Sequence, residues 1–150
     1  ESMVCELSNH DYPLELSLLR KGFDSAPIQQ TNPNMAYYAT RNTCTVLDGY
    51  NPGSFDISLS DGEKVKKFAF ESDNHYGIAI WTTHTVSDFC EGKSVDITID
   101  RSVSGARAYS LINGTVTEIY TSSDGEKTKL SGIIVRDCPI FIELDKNGGR

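Results

Sequence analysis

From residue 53 onward the apolar residues fall at every second position, and this period of two restricts the fold more than any other feature of the chain. Phe55, Ile57 and Leu59 alternate with Asp56, Ser58 and Ser60 before an Asp61-Gly62 turn. Successive side chains of an extended strand point to opposite faces, so this spacing makes one apolar and one polar face. KKFAFES then places Phe68 and Phe70 on one face. After Asp73-Asn74, YGIAIWT sets Tyr76, Ile78 and Ile80 opposite Ala79 and Trp81, which predicts a hairpin. SVDITID turns Val95, Ile97 and Ile99 inward, and RAYSLI is closed by Asn113-Gly114, a strong hairpin signal. TVTEIYT, Asp124-Gly125, TKLSGIIV and PIFIEL complete the series. About eight short strands with frequent turns, and no helices between them, exclude a parallel α/β sheet. The predicted fold is mainly β, an antiparallel two-sheet β-sandwich with one N-terminal helix.

That helix lies in NPNMAYYATRNTCTVLDGY, residues 32–50. Asn32 suits the N-cap and Pro33 the first helical position, where a missing N–H costs nothing. Met35, Tyr38, Ala39 and Val46, joined by Leu47, share one side, and Gly49 supplies the stop. The expected span is about 33 to 48. Tyr37 and Tyr38 are adjacent, so one is expected to pack and the other to face water. Upstream, LELSLLRKGF is apolar and ambiguous between strand and helix. The chain therefore divides into a segment 1–50 and a β-sandwich 51–150.

Composition narrows the partners. With 150 residues, 38% of them hydrophobic, the chain can bury one sizeable core. A net charge of −7 argues against nucleic acid or an anionic membrane, because both call for a Lys/Arg surface. No apolar run approaches the roughly 18 residues needed to span a bilayer. The opening ESMVCEL lacks the basic start and apolar stretch of a signal peptide and begins mid-pattern, as a trimmed segment would.

Cys5, Cys44, Cys90 and Cys138 show no CxxC pair, so a thiolate metal site is not expected. In an exported chain the expected disulfides are Cys5–Cys44 and Cys90–Cys138, and four separate buried thiols are the alternative. His10, His75 and His84 do not form a metal set. His75 and His84 flank one predicted strand, and nine residues at about 3.3 Å each separate them by up to roughly 30 Å. Asn113-Gly114-Thr115 fits a glycosylation sequon, but the hairpin turn already explains Asn-Gly. The Asp-Gly and Asp-Asn turns lack the carboxylate density of a calcium loop.

The order of these landmarks resembles the end of a TIM-barrel glycoside hydrolase. A helix like NPNMAYYATRNTCTVLDGY is followed by FAFESDNHYGIAIWT, a DITID strand, a Y-x-L-x-N-G hairpin and a closing PIFIEL. In that family the last barrel helix leads directly into a small C-terminal β-sandwich packed on the barrel. The resemblance implies that MVCEL to SLLRKG are the last barrel strand and its loop. It also implies a non-catalytic accessory domain, secreted or at the cell surface, with no cofactor.

Glycosidases of this kind use two carboxylates at the C-terminal ends of barrel strands. By the resemblance both precede this stretch, so no residue here inherits a catalytic role, although Glu6 and Glu15 lie near the last strand. The implied partners are a polysaccharide or the parent enzyme's catalytic barrel. The apolar helix stripe, with Leu14, Leu16, Leu18 and Leu19, predicts either a homodimer through the N-terminal helix or a loosely packed segment. Sugar faces stack on exposed rings, which makes Trp81, Tyr76 and Tyr120 the candidate carbohydrate-binding residues, with Tyr109 beside them. Two other readings stay open: an independent carbohydrate-binding module, and an immunoglobulin-like protein-interaction sandwich.

Overall fold

The computed structural model of the protein describes residues 35–83 and 91–147. The expected cap at Asn32 and Pro33, the segment 14–23, His10, His84, Cys5 and Cys90 lie outside them, so each expected disulfide takes in one residue that is not described. Cys44 and Cys138 are both exposed.

The chain runs α1 (Met35–Leu47), β1 (Asn51–Pro52), β2 (Ile57–Leu59), β3 (Val65–Glu71), β4 (His75–Thr82), β5 (Lys93–Ile99), β6 (Val103–Ser110), β7 (Val116–Glu118), β8 (Thr121–Asp124), β9 (Lys127–Val135) and β10 (Ile140–Lys146). The strands form a six-stranded sheet, β1-β3-β4-β10-β6-β7, and a four-stranded sheet, β2-β5-β9-β8. Every neighbouring pair is antiparallel. The two sheets close over one core. Ile78, Ile80, Val103, Ala106, Ile142 and Leu144 from the larger sheet meet Val95, Ile97, Ile99, Leu130, Ile133 and Val135 from the smaller. The period of two thus reports the inward faces correctly, as the full burial of Ile78, Ile80, Ile97 and Ile99 shows.

Strand number and one turn differ from expectation. TVTEIYT is not one strand but two, β7 and β8. Ile119 N donates to Ala106 O in the larger sheet at 2.9 Å, and two residues on, Thr121 pairs with Leu130 in the smaller one. Ile119 and Tyr120 carry the chain across, a change of sheet that alternation cannot reveal. The turn expected at Asp61-Gly62 lies slightly later. The reversal falls on Glu63 and Lys64, closed by Val65 N donating to Gly62 O at 3.2 Å, with Lys64 at φ +54°. It joins β2 of one sheet to β3 of the other. Asp61 stands before it, accepting from Lys93 Nζ at 2.7 Å and from Glu63 N at 3.2 Å.

Asp73-Asn74 does close a tight hairpin, with Ser72 N donating to His75 O at 2.9 Å. Asn113-Gly114 ends a four-residue loop, Gly114 taking a φ of +71° that a residue with a Cβ rarely adopts. Asn113 Oδ1 accepts from Thr115 N and Oγ1 at 3.1 and 2.8 Å, so the side chain serves the turn. In β9, Ser131 and Gly132 together face one residue of β5, Asp96, a bulge that returns Ile133 and Val135 to the core.

Helix α1 stops at Gly49, in the left-handed region as expected. Ala39, Asn42, Thr43, Val46 and Leu47 are half-buried, so its covered face is narrow and made of small side chains. Asn42 Nδ2 donates to Leu111 O at 3.2 Å, tying the helix to the β6–β7 loop. Tyr37 and Tyr38 are both exposed, against the expectation that one packs. Their rings meet edge to face at 5.6 Å and shelter each other instead of the core.

Candidate functional site

The outer face of the larger sheet carries an apolar stripe across β3, β4 and β10. In a free sandwich the outer face alternates to polar residues, because it meets water. Here the register places Phe68 beside Ala79, Phe70 beside Gly77, and Ala79 beside Phe141, all on the side away from the core. Phe141 is completely buried there. Its ring meets Tyr50 edge to face at 5.2 Å and Phe70 at 5.9 Å. A Cβ on Gly77 would overlap the tip of that ring, so glycine is what lets Phe141 lie flat across β4. Further along the same face Phe68 and Trp81 stack at 5.6 Å with planes 16° apart, and Phe68 remains 55% exposed.

Beside this aromatic stripe lies a polar network centred on Glu143 of the central strand β10. Tyr50 Oη donates to Glu143 Oε2 at 2.9 Å, and Tyr109 Oη donates to Oε1 at 3.1 Å. Arg107 Nη2 lies 2.9 Å from Glu143 Oε1 and 3.0 Å from Asp145 Oδ1, and His75 Nε2 lies 3.3 Å from the same Asp145 oxygen. Burial, then the hydrogen bond to Glu143 and its charge, push the Tyr50 phenol well above the usual tyrosine range. Burial and the Glu143 charge also raise Tyr109. Burial alone would lower Arg107, but Tyr109, Asp145 and Glu143 outweigh it and hold the guanidinium charged.

His75, Glu143 and Asp145 offer ligand atoms within 4.8 Å of one another, the residue types of a metal site. The Arg107 guanidinium occupies the space between both carboxylates, however, so a cation would have to displace a charge already in place. Arg107 thus offsets one of the two carboxylate charges. Its evident work is mechanical, because Glu143 ties the residue that follows helix α1, Tyr50, to the middle of the sheet.

The three sequence-derived candidates are not brought together. Trp81 is on the outer face, as its alternation with Ile78 and Ile80 indicates. Tyr76 points to the interior, edge to face with Phe55 at 5.1 Å and with Lys146 Nζ 4.6 Å over its ring. Tyr120 stands at the end of the sandwich on the sheet-crossing connection, 94% exposed. Sequence reasoning missed Tyr50, Arg107, Glu143 and Asp145. Alternation in PIFIELD could have put Phe141, Glu143 and Asp145 on one face, but nothing local places β10 between β4 and β6. No protein-family model matches the sequence, and no curated protein matches it either.

Proposed function

We propose that this chain is a non-catalytic accessory β-sandwich of a glycoside hydrolase acting on a polysaccharide, with the outer face of its larger sheet packed on the catalytic barrel. The observation that carries this reading is the apolar stripe on the outer face of the larger sheet. Phe68, Phe70, Ala79 and Trp81 lie opposite the sandwich core beside the buried Phe141, and the part left open, the 55% exposed Phe68 with its stacked partner Trp81, supports a contact surface there. The half-buried helix α1 agrees with it, since a barrel's last helix would find the rest of its cover in the barrel. The order of landmarks in the sequence, from the helix to PIFIEL, supplies the family.

The experiment compares the isolated chain with the longer polypeptide that the reading requires. The longer polypeptide is expected to release reducing sugar from polysaccharides and the isolated chain to release none. Replacing Phe68 and Trp81 by Ser should lower the thermal midpoint of the longer polypeptide by clearly more than that of the isolated chain, in which the half-buried Trp81 already contributes to the sheet. A second reading, an independent carbohydrate-binding module, draws on the same stacked pair. It is favoured if the double replacement abolishes glycan binding by the isolated chain while the longer polypeptide melts as before.

A further inference from the structure

The loop between β6 and β7 holds the one Asn-x-Ser/Thr triplet of the sequence with a residue other than Pro in the middle, Asn113-Gly114-Thr115. The turn accounts for Asn-Gly, yet it uses only the oxygen of the Asn113 side chain. We propose that Asn113 is a modification site, its Nδ2 the acceptor of an N-linked oligosaccharide when the chain passes through a compartment that holds the transferase.

Chemistry fixes which way the carboxamide faces. Thr115 N can only donate, so the Asn113 atom 3.1 Å from it is the oxygen, and the Thr115 hydroxyl donates to the same oxygen at 2.8 Å. Nδ2 is thereby turned away from these bonds, and it makes no hydrogen bond among the described residues. Asn42 is the contrast, because its Nδ2 is spent on Leu111 O at 3.2 Å. Residues 113–118 are all exposed, so an enzyme can reach Asn113 and Thr115 together. Gly114, with its φ of +71°, supplies the bend that brings the Thr115 hydroxyl back onto Asn113.

Two donors on Oδ1 draw electron density from the carboxamide nitrogen and make its N–H more acidic, and that is the proton the transfer must remove. The donor is an oligosaccharide carried on a lipid diphosphate. The bond from Nδ2 to the anomeric carbon forms, the bond from that carbon to the diphosphate oxygen breaks, and the Nδ2 proton passes to a base of the transferase. The lipid diphosphate leaves, and no oxidant or reductant is needed. Thr115 is thus a positioning residue that acts through Asn113 Oδ1. The loop also guards the amide, because Gly114 N, the atom that attacks the carboxamide in spontaneous deamidation, donates to Ser110 O at 2.8 Å. The site stands clear of the apolar stripe. β10 and β6 separate β4, which carries Trp81, from β7, a distance of roughly 14 Å at about 4.8 Å per strand. A glycan at Asn113 therefore leaves Phe68 and Trp81 open, and the inference does not draw on the accessory-domain reading.

The test expresses the full chain behind a cleavable export leader in cultured eukaryotic cells and analyses the secreted and the retained pools alike, so that a variant that fails to fold still reports. Treatment with a peptide N-glycosidase is expected to lower the mass of the chain. Release in water enriched in the heavy oxygen isotope should place that isotope at position 113 alone, which separates the sugar from spontaneous deamidation. Asn113→Gln and the near-isosteric Thr115→Val should abolish the modification, and Thr115→Ser, which keeps the hydroxyl, should retain it. An exported chain that carries no sugar, a sugar at another residue, or full modification of Thr115→Val would overturn the inference.

Discussion

Replacing Phe141 by Ala tests whether the outer face of the larger sheet contributes to the stability of this chain. The ring is 0% exposed although it points away from the sandwich core. An aromatic side chain buries about 150–250 Å². At about 25 cal/mol per Å² that corresponds to roughly 4–6 kcal/mol for the whole side chain. Ala retains part of this, and the edge-to-face contact with Tyr50 is lost as well, so the expected destabilisation is about 3–5 kcal/mol. For a domain of this size each kcal/mol lowers the melting point by about 2–4 °C, giving a fall of about 6–20 °C. Urea unfolding followed by far-UV circular dichroism measures it. A loss below about 1 kcal/mol would mean that Tyr50 and Phe70 do not cover the ring in solution.

Gly77→Ala forces a methyl group into the same ring and should cost about 1–3 kcal/mol, and the double variant with Phe141→Ala should recover much of it, read from the same unfolding curves. Alkaline titration followed at 295 nm should show Tyr50 ionising last. Its folded pKa is raised above the ordinary 10.0, so the stability of its bond to Glu143 is fully present below that value and lost as the pH rises beyond it. Glu143→Gln should return the Tyr50 ionisation toward its ordinary range. At the acid end, hydrogen bonds from Lys93 and Lys129 hold Asp61 and Asp96 below the ordinary 3.8. Their contribution is present above that value and lost as the pH falls through the lowered ones, so Asp61→Asn with Asp96→Asn should flatten the acid limb of a stability–pH curve. Removing residues 1–48 keeps Tyr50 and should change the melting point by no more than about 4 °C, about one kcal/mol. Collapse of the sandwich on that deletion would assign the helix to its core.

The inward faces were legible in the sequence because burial follows the two-residue period wherever a strand covers a core on one side. Ile78 and Ile80, and Val95, Ile97 and Ile99, are all positioned by alternation alone. The helix was legible through its local stop, Gly49. What was not legible depends on long-range pairing. TVTEIYT keeps its alternation while changing sheets at Ile119, and the last strand, β10, inserts between β4 and β6, from both of which it is far removed in sequence. The network around Glu143 exists only because of that insertion, since it collects Tyr50, His75, Arg107 and Tyr109 from separate strands and from the helix exit. Tyr120 was named from the sequence as an exposed ring, and it is 94% exposed, but its place where the chain changes sheets depends on the long-range pairing of β8 with β9.

The account turns on what the outer face meets, and the most direct measurement is the reading frame that encodes the residues ahead of Glu1. The accessory-domain reading predicts a (β/α)8 barrel whose last helix is α1, with two carboxylates at the C-terminal ends of its strands. A start codon immediately ahead of Glu1, or an upstream region with no alternation of strands and helices, would contradict it.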